Sequence, residues 1–172
     1  ASAGEWVGVK LGRESTGDGK RLVLKGVGLR EARFRKVDVD VAALYVEQKA
    51  KSPEALMDPA TAKKLVLRFV RDVDKDDMVD AYKDSFPEAA GSKFKSLKPE
   101  FKKLLSWMSD IKKGQNQTYV YIPGKGVEAT IKGKSLGTIP GDDFARAFFK
   151  IWLGPKPPNS GLKSGMLGGK CD

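Results

Sequence analysis

The chain has 172 residues and a formal net charge of +10, from 32 Lys and Arg against 22 Asp and Glu. This length is typical of one domain, and the hydrophobic content of 40% excludes a disordered chain. No apolar run reaches the ~18–20 residues that a membrane-spanning helix needs. The basic residues are dispersed among acidic ones, so we interpret the charge as a solvated surface and predict no nucleic-acid partner.

The residue types also exclude several kinds of catalytic site. The chain contains no His, which removes Ser-His-Asp and Cys-His catalysis and the commonest zinc ligand. Its glycine-rich stretches match neither of the common phosphate-binding loops. We therefore predict no metal and no cofactor. The single cysteine, Cys171, cannot form a disulfide within the chain, so cysteine usage leaves the compartment open.

The N-terminal third indicates strands. Residues 6–11 alternate apolar and polar positions, which predicts an edge strand, and residues 16–19 predict the turn of a hairpin whose second strand spans 21–25. In residues 37–41 valines alternate with Asp38 and Asp40, so the aspartates are expected on a polar face opposite the valines. Residues 42–46 are apolar on both sides, which is typical of a strand covered on both faces. We predict that this is the central strand.

The remainder combines helices with short strands. Capping residues and prolines predict short helices starting near residues 52–54 and 58–59, and residues 64–70 read as a buried strand. Helical spacing predicts helices over 72–86, 96–113 and 142–153, with a short helix or turn at 159–168. Residues 116–122, 126–132 and 134–139 predict a meander of three strands. Strands and helices that come in separate runs favour an α+β fold.

Several sequence blocks resemble the chalcone isomerase-like family, in its bacterial branch. They are GVGLR at 26–30, VAALYVE at 41–47, RFVRDV at 68–73, YIPGKG at 121–126, GTIPG at 137–141 and FARAFFKIWLG at 144–154. Their order and spacing cover nearly the whole chain. The resemblance implies the chalcone isomerase fold, a large antiparallel sheet with a layer of helices over one face, described as an open-faced β-sandwich. We expect one such domain over residues 1–168 and a disordered tail at 169–172.

The resemblance also implies a site between sheet and helices. Arg30 matches the arginine that holds the flavonoid oxygen in plant chalcone isomerases and the carboxylate in fatty-acid-binding relatives. Asp40 takes the position of the isomerases' threonine. If its side chain faces the cleft, it would pair with Arg30. The valine alternation instead places Asp40 on the polar face with Asp38, and a β-bulge would reconcile the two placements. The enzymes' catalytic tyrosine has no counterpart in residues 86–97, which offer Phe86 and Phe94.

Other residues are candidates for the walls of this cleft. Tyr119 and Tyr121 share a strand face, and the helix over 142–153 carries an aromatic stripe. The candidate ligand-binding residues are Arg30, Asp40, Tyr119, Tyr121, Phe94, Phe148, Ile151 and Trp152. The candidate catalytic residues, should the protein be an enzyme, are Arg30 and Asp40.

Three functions are compatible with the sequence. The first is non-catalytic binding of a small lipophilic molecule, such as a fatty acid. The second is isomerisation of a chalcone-like enone by an intramolecular lyase reaction, with Asp40 as general base. The third is a ligand-free interaction protein of the cell envelope. The small residues Ala1 to Ala3, together with the secretion signals of bacterial relatives, indicate a periplasmic or secreted location. The sequence leaves the oligomeric state open.

Overall fold

Seven antiparallel strands, each paired with the next along the chain, form the main sheet. The computed structural model describes residues 5–6, 9–10, 12, 14–17, 19–32, 37–47, 52–58 and 60–169. The sheet follows the order β3 (Glu14–Gly17), β4 (Lys20–Glu31), β5 (Asp38–Val46), β6 (Lys63–Phe69), β7 (Asn116–Ile122), β8 (Gly126–Ile131) and β9 (Lys134–Ile139). Two short strands, β1 (Glu5–Trp6) and β2 (Val9–Lys10), pair separately.

The helices pack against one face of this sheet. They are α1 (Pro53–Leu56), α2 (Lys75–Ala90), a 3-10 helix (Gly91–Leu97), α3 (Lys98–Ser106), α4 (Asp142–Leu153) and α5 (Ser160–Met166). One buried cluster combines residues of α2, α3, α4 and α5 with alternate residues of the strands, whereas a second cluster contains strand residues from the opposite face. The α+β architecture predicted from the sequence is therefore confirmed.

Most predicted elements are present, but three predictions are wrong. Residues 58 and 60–62 form no helix, because the Asp58 carboxylate caps a turn by accepting the Ala60 N–H at 2.9 Å. The stretch predicted as one strand over residues 6–11 contains the separate strands β1 and β2. The predicted helix over 96–113 begins as the 3-10 helix, and α3 ends at Ser106. Beyond it, Ile111 exchanges two backbone hydrogen bonds of 2.9 Å with Val73, and this bridge replaces further helical turns.

A bulge in β5 changes which face its side chains occupy. Arg30 pairs with Asp40 and Glu31 with Asp38, so Val39 has no partner on β4. Val39 packs in the helix-side cluster, whereas Val41 packs in the cluster on the other face. Asp38 is exposed and Asp40 is fully buried. The prediction that both aspartates share a polar face is therefore wrong, and the bulge is the reason.

Two glycines bring α5 directly onto the backbone of β4. Gly26 and Gly28 pair with Leu44 and Ala42, which belong to the helix-side cluster. A Cβ at Gly28 would overlap the carbonyl oxygen of Leu162, and one at Gly26 would overlap that of Gly165. Only glycine permits this approach of helix and strand backbones.

Residue Asn159, just before α5, fixes the end of β4. Its amide nitrogen donates to the Leu29 carbonyl at 2.8 Å, and its Oδ1 accepts the Glu31 N–H at 3.0 Å. These bonds hold the backbone on both sides of Arg30. Together with the glycine contacts, they place the Arg30 side chain on the helix-facing side of the sheet.

The glycine contact leads to a prediction for stability. Gly28→Ala should lower the free energy of unfolding by about 1–3 kcal/mol or more, because α5 must move away from β4 to accommodate the methyl group. Gly12→Ala is a matched control at an exposed position, where the added carbon would make ordinary contact with the Glu14 carbonyl oxygen. Urea unfolding of both variants measures the difference, and equal stabilities would contradict the proposed backbone contact.

Candidate functional site

Arg30 and Asp40 form an ion pair beneath the helical layer. They are cross-strand partners on β4 and β5, and the Arg30 Nε donates to Asp40 Oδ2 at 2.7 Å. The Asp40 side chain is 0% exposed and that of Arg30 is 18% exposed. Within the described part of the chain, the Nη1 and Nη2 groups of Arg30 have no hydrogen-bond partner. The guanidinium therefore binds Asp40 through Nε, and its Nη1 and Nη2 donors lie at the partly exposed edge of the protein interior.

The Asp40 carboxylate has one oxygen without a partner. Its Oδ1 is buried and makes no hydrogen bond to any described residue. Burial raises the pKa of Asp40, and the charge and hydrogen bond of Arg30 oppose that shift only in part. Burial outweighs the neighbouring cation because the loss of hydration is complete on the carboxylate, whereas Arg30 keeps part of its contact with solvent.

Two tyrosine hydroxyls and one amide form a second polar group between sheet and helices. Tyr119 donates to Gln117 Oε1 at 2.9 Å, and the Tyr82 hydroxyl lies 3.2 Å from that of Tyr119. Burial raises the pKa of Tyr82 to about 12 and raises the pKa of Tyr119 well above its ordinary value. Both hydroxyls therefore remain protonated at neutral pH. Gln117 pairs with Leu67 and Leu67 pairs with Ala42, so this group lies on the same face of the sheet as Asp40, two strands away.

The sequence analysis did not select Tyr82 or Gln117. Both were accessible in principle, since Gln117 precedes Tyr119 by two residues on β7 and shares its face, while Tyr82 lies one helical turn before Phe86. Tyr82 was read only as part of the apolar spacing of a helix, and Gln117 only as a residue of a short strand. The structure adds them to the polar lining because their side chains meet across the interface of α2 and β7.

Aromatic side chains of α4 cover this polar group. The Phe148 ring lies 4.7 Å from that of Tyr119 and 5.0 Å from that of Trp152, measured between ring centroids. The Trp152 Nε1 is buried and has no partner among the described residues. Ile151 is buried on the same helix, at 4% exposure. Phe148 thus packs on the rings of Tyr82 and Tyr119, and Trp152 extends this aromatic layer along α4.

Two candidate residues lie outside this arrangement. Phe94 packs on Phe86 and Phe101, with ring centroids 6.2 and 5.7 Å away. The Tyr121 hydroxyl donates to Asp142 Oδ1 at 2.8 Å, at the start of α4. The structure therefore pairs Arg30 with Asp40 and joins Tyr119, Phe148 and Trp152 through ring contacts, and it leaves Phe94 and Tyr121 with other partners.

The end of the sheet near Tyr121 contains a buried lysine. Lys63 is 2% exposed, and its Nζ donates to the Asp58 carbonyl at 3.0 Å and lies 5.1 Å from the Tyr121 ring centroid. Burial lowers the pKa of Lys63 to about 8. An open surface depression of about 410 Å³ lies at α1 and α4 and is lined by Glu54, Met57, Asp58, Arg146 and Lys150. None of these five is a candidate ligand-binding residue.

No group of three or more His, Cys, Asp or Glu side chains within the described ranges could hold a metal ion. None of the helices described has the length and the apolar character that crossing a bilayer requires.

Lys63 leads to a prediction for pH dependence. A lysine whose folded pKa is about 8, below its ordinary 10.5, is destabilising while charged, and this penalty is removed as the pH rises from about 8 to 10.5. Across that range, stability of the wild type should increase by about 1–3 kcal/mol relative to Lys63→Met. Denaturant unfolding of both proteins tests this, with exposed Lys102→Met as control. A constant difference between wild type and Lys63→Met would contradict a depressed pKa.

The ion pair leads to a prediction by double-mutant cycle. Arg30→Met should lower the free energy of unfolding by about 3–5 kcal/mol, because it leaves a buried carboxylate unpaired, and adding Asp40→Ala should restore most of the loss. The pKa of Asp40 is raised, so the deficit of Arg30→Met should shrink toward acid pH, where the carboxyl is neutral.

The control for this cycle is Arg68→Met. Arg68 donates to Asn116 at 2.9 Å and pairs with Val41, on the opposite face of the sheet. Its loss should cost about 1 kcal/mol. Additive losses in the Arg30 and Asp40 double variant would show that the two side chains are not coupled.

Comparisons with known proteins agree with the resemblance noted in the sequence. A protein-family model described as chalcone isomerase-like matches residues 3–168. A solved structure, that of a fatty-acid binding protein of Arabidopsis thaliana, is similar with a TM-score of 0.73, over 93% of this chain and 92% of that chain, at 17% sequence identity. A comparison with curated proteins gave no match. The likeness to the Arabidopsis structure shows the same fold, and the family match spans nearly the whole chain. The protein therefore belongs to the chalcone isomerase-like family.

Proposed function

We propose that the protein binds a small lipophilic molecule, without catalysis, between the sheet and the helices α2 and α4. The observation that carries this proposal is the position of Arg30. Its Nε is held by Asp40 at 2.7 Å, while its remaining donors have no partner in the described part of the chain. A cation held at the border of an apolar interior is suited to orient the polar end of a ligand.

The side chains of β7 and α4 on the helix side of the sheet offer the apolar part of the site. Tyr119, Phe148 and Trp152 form a continuous aromatic wall with exposures of 0%, 0% and 3%. An alkyl chain gains about 0.8 kcal/mol per buried methylene, so ten methylenes contribute about 8 kcal/mol before ordering costs. Contact with this wall supports micromolar binding even where the head group adds little.

Ligand entry requires these aromatic side chains to move. Phe148 and Trp152 are packed against their neighbours in the present arrangement, and the open depression of about 410 Å³ lies elsewhere, at α1 and α4. A rotamer change at Trp152 breaks no hydrogen bond to a described residue, because its Nε1 has no partner there. We therefore propose that the ligand enters where the Phe148 and Trp152 side chains of α4 move aside.

The comparison adds support from a protein of the same fold. The Arabidopsis thaliana relative is a fatty-acid binding protein, and its structure matches over 93% of this chain. Lipid binding is therefore compatible with this architecture. A fatty acid is one member of the class of ligands that the site would accept.

One observation favours a second candidate, an isomerase acting on a chalcone-like enone. Burial raises the pKa of Asp40, and a carboxylate with a raised pKa can act as a general base. Arg30 would orient the oxyanion, and the Tyr82 hydroxyl, on α2, could donate a hydrogen bond. Turnover of a chalcone that is abolished in Asp40→Asn would select this candidate over binding alone.

The binding proposal is tested by denaturing organic extraction of freshly purified protein, followed by mass spectrometry. We expect a stoichiometric lipophilic molecule in the wild type, depleted at least about tenfold in Arg30→Ala, which loses the donors at the polar end. Arg68→Ala should retain it, because Arg68 lies on the other face of the sheet. Circular dichroism of both variants controls for folding.

An empty extract of the wild type can also arise from loss of the ligand during purification, so the proposal is rejected only when a second result agrees. This is an unchanged melting temperature across added fatty acids and flavonoids. That combination would leave a scaffold without a ligand and reject the binding function.

A further inference from the structure

The polar end of the proposed site carries no net charge. Arg30 and Asp40 lie 2.7 Å apart as an ion pair, so their charges cancel toward a ligand head group. No other cationic side chain of the described residues makes a salt bridge with Asp40. The nearby Tyr82 and Tyr119 are neutral, because burial keeps both hydroxyls protonated. A carboxylate ligand would therefore meet a guanidinium whose charge is already compensated.

The same end presents an acceptor as well as donors. Asp40 Oδ1 is fully buried and has no partner among the described residues, and an ionised carboxylate only accepts hydrogen bonds. Arg30 Nη1 and Nη2 only donate. An unsatisfied buried acceptor costs free energy that a hydroxyl or N–H of a ligand would recover.

We propose that the natural ligand has a neutral head group, with a carbonyl that accepts from Arg30 and a hydroxyl or N–H that donates to Asp40 Oδ1. This inference rests on the proposed binding of a lipophilic molecule. Acylglycerols and hydroxy ketones have this chemistry. A fatty-acid carboxylate does not, because it offers only acceptors and would place a second anion beside Asp40. Asp40 thus selects against carboxylates while Arg30 remains available to a carbonyl.

The experiment compares three probes that share one alkyl chain. They are dodecanoate, with a charged head that only accepts, methyl dodecanoate, with a neutral head that only accepts, and monododecanoylglycerol, with a neutral head that accepts and donates. Binding to the full chain is measured at neutral pH by displacement of a fluorescent lipid. We expect monododecanoylglycerol to bind at least about tenfold tighter than dodecanoate, with the methyl ester between them.

We expect Asp40→Asn to weaken or reverse the preference for a neutral head group over a carboxylate. This substitution keeps the size of the side chain, removes its charge and frees the charge of Arg30, so dodecanoate should gain at least about tenfold in affinity. Asp38→Asn is the matched control, since Asp38 lies on the same strand with an exposed side chain and should leave the ranking unchanged. Melting curves establish whether each variant is folded.

The outcomes separate the two proposals. If the wild type binds dodecanoate as tightly as monododecanoylglycerol, the inference about the head group is overturned and the binding function stands. If the wild type binds none of the three probes, both are overturned. Should Asp40→Asn fail to fold, the ranking of the probes on the wild type decides the question by itself.

Discussion

The ion pair of Arg30 and Asp40 is the interaction on which the rest of the site depends. Burying two charges costs free energy unless the geometry is held in place, and several local features of the fold hold it. The regular pairing of β4 and β5 places Asp40 on the helix side with Ala42 and Leu44, and the bulge at Val39 separates it from the exposed Asp38. Gly26 and Gly28 bring α5 onto β4, and Asn159 bonds the backbone on both sides of Arg30. Each of these features makes sense as a means of placing one arginine beside one carboxylate.

Regular patterns in the sequence predicted most of this fold. The apolar runs of β5 and β6, the turns of the meander β7 to β9 and the aromatic stripe of α4 each reflect burial or turn chemistry that a short stretch of sequence records directly. The bulge was raised only as one way to reconcile the two readings of Asp40, and the pattern could not decide it because it depends on the register between β4 and β5. The prediction of a helix over 96–113 was wrong for a related reason. Met108 and Ile111 are buried by long-range contacts, such as the bridge from Ile111 to Val73, and their positions happen to match the spacing of a helix.

The sequence predicted the site residues that the family resemblance pointed to. It did not predict residues that come together only because segments distant in sequence pack against each other. Arg30 and Asp40 were selected from the resemblance, and the structure pairs them. Gln117 and Tyr82 were missed, since only the packing of α2 on β7 brings them together. Phe94 and Tyr121 share patterns with the site and have other partners. The chain thus has the fold of its family, with Asp40 beside Arg30 on the helix side of the sheet.

The account is tested most directly by a crystal structure of the protein grown with monododecanoylglycerol. It predicts that the alkyl chain lies under α4 with Phe148 or Trp152 displaced, and that the head group places a carbonyl at Arg30 and a hydroxyl within hydrogen-bonding distance of Asp40 Oδ1. A ligand bound instead in the depression between α1 and α4, with the aromatic wall unchanged, would contradict it.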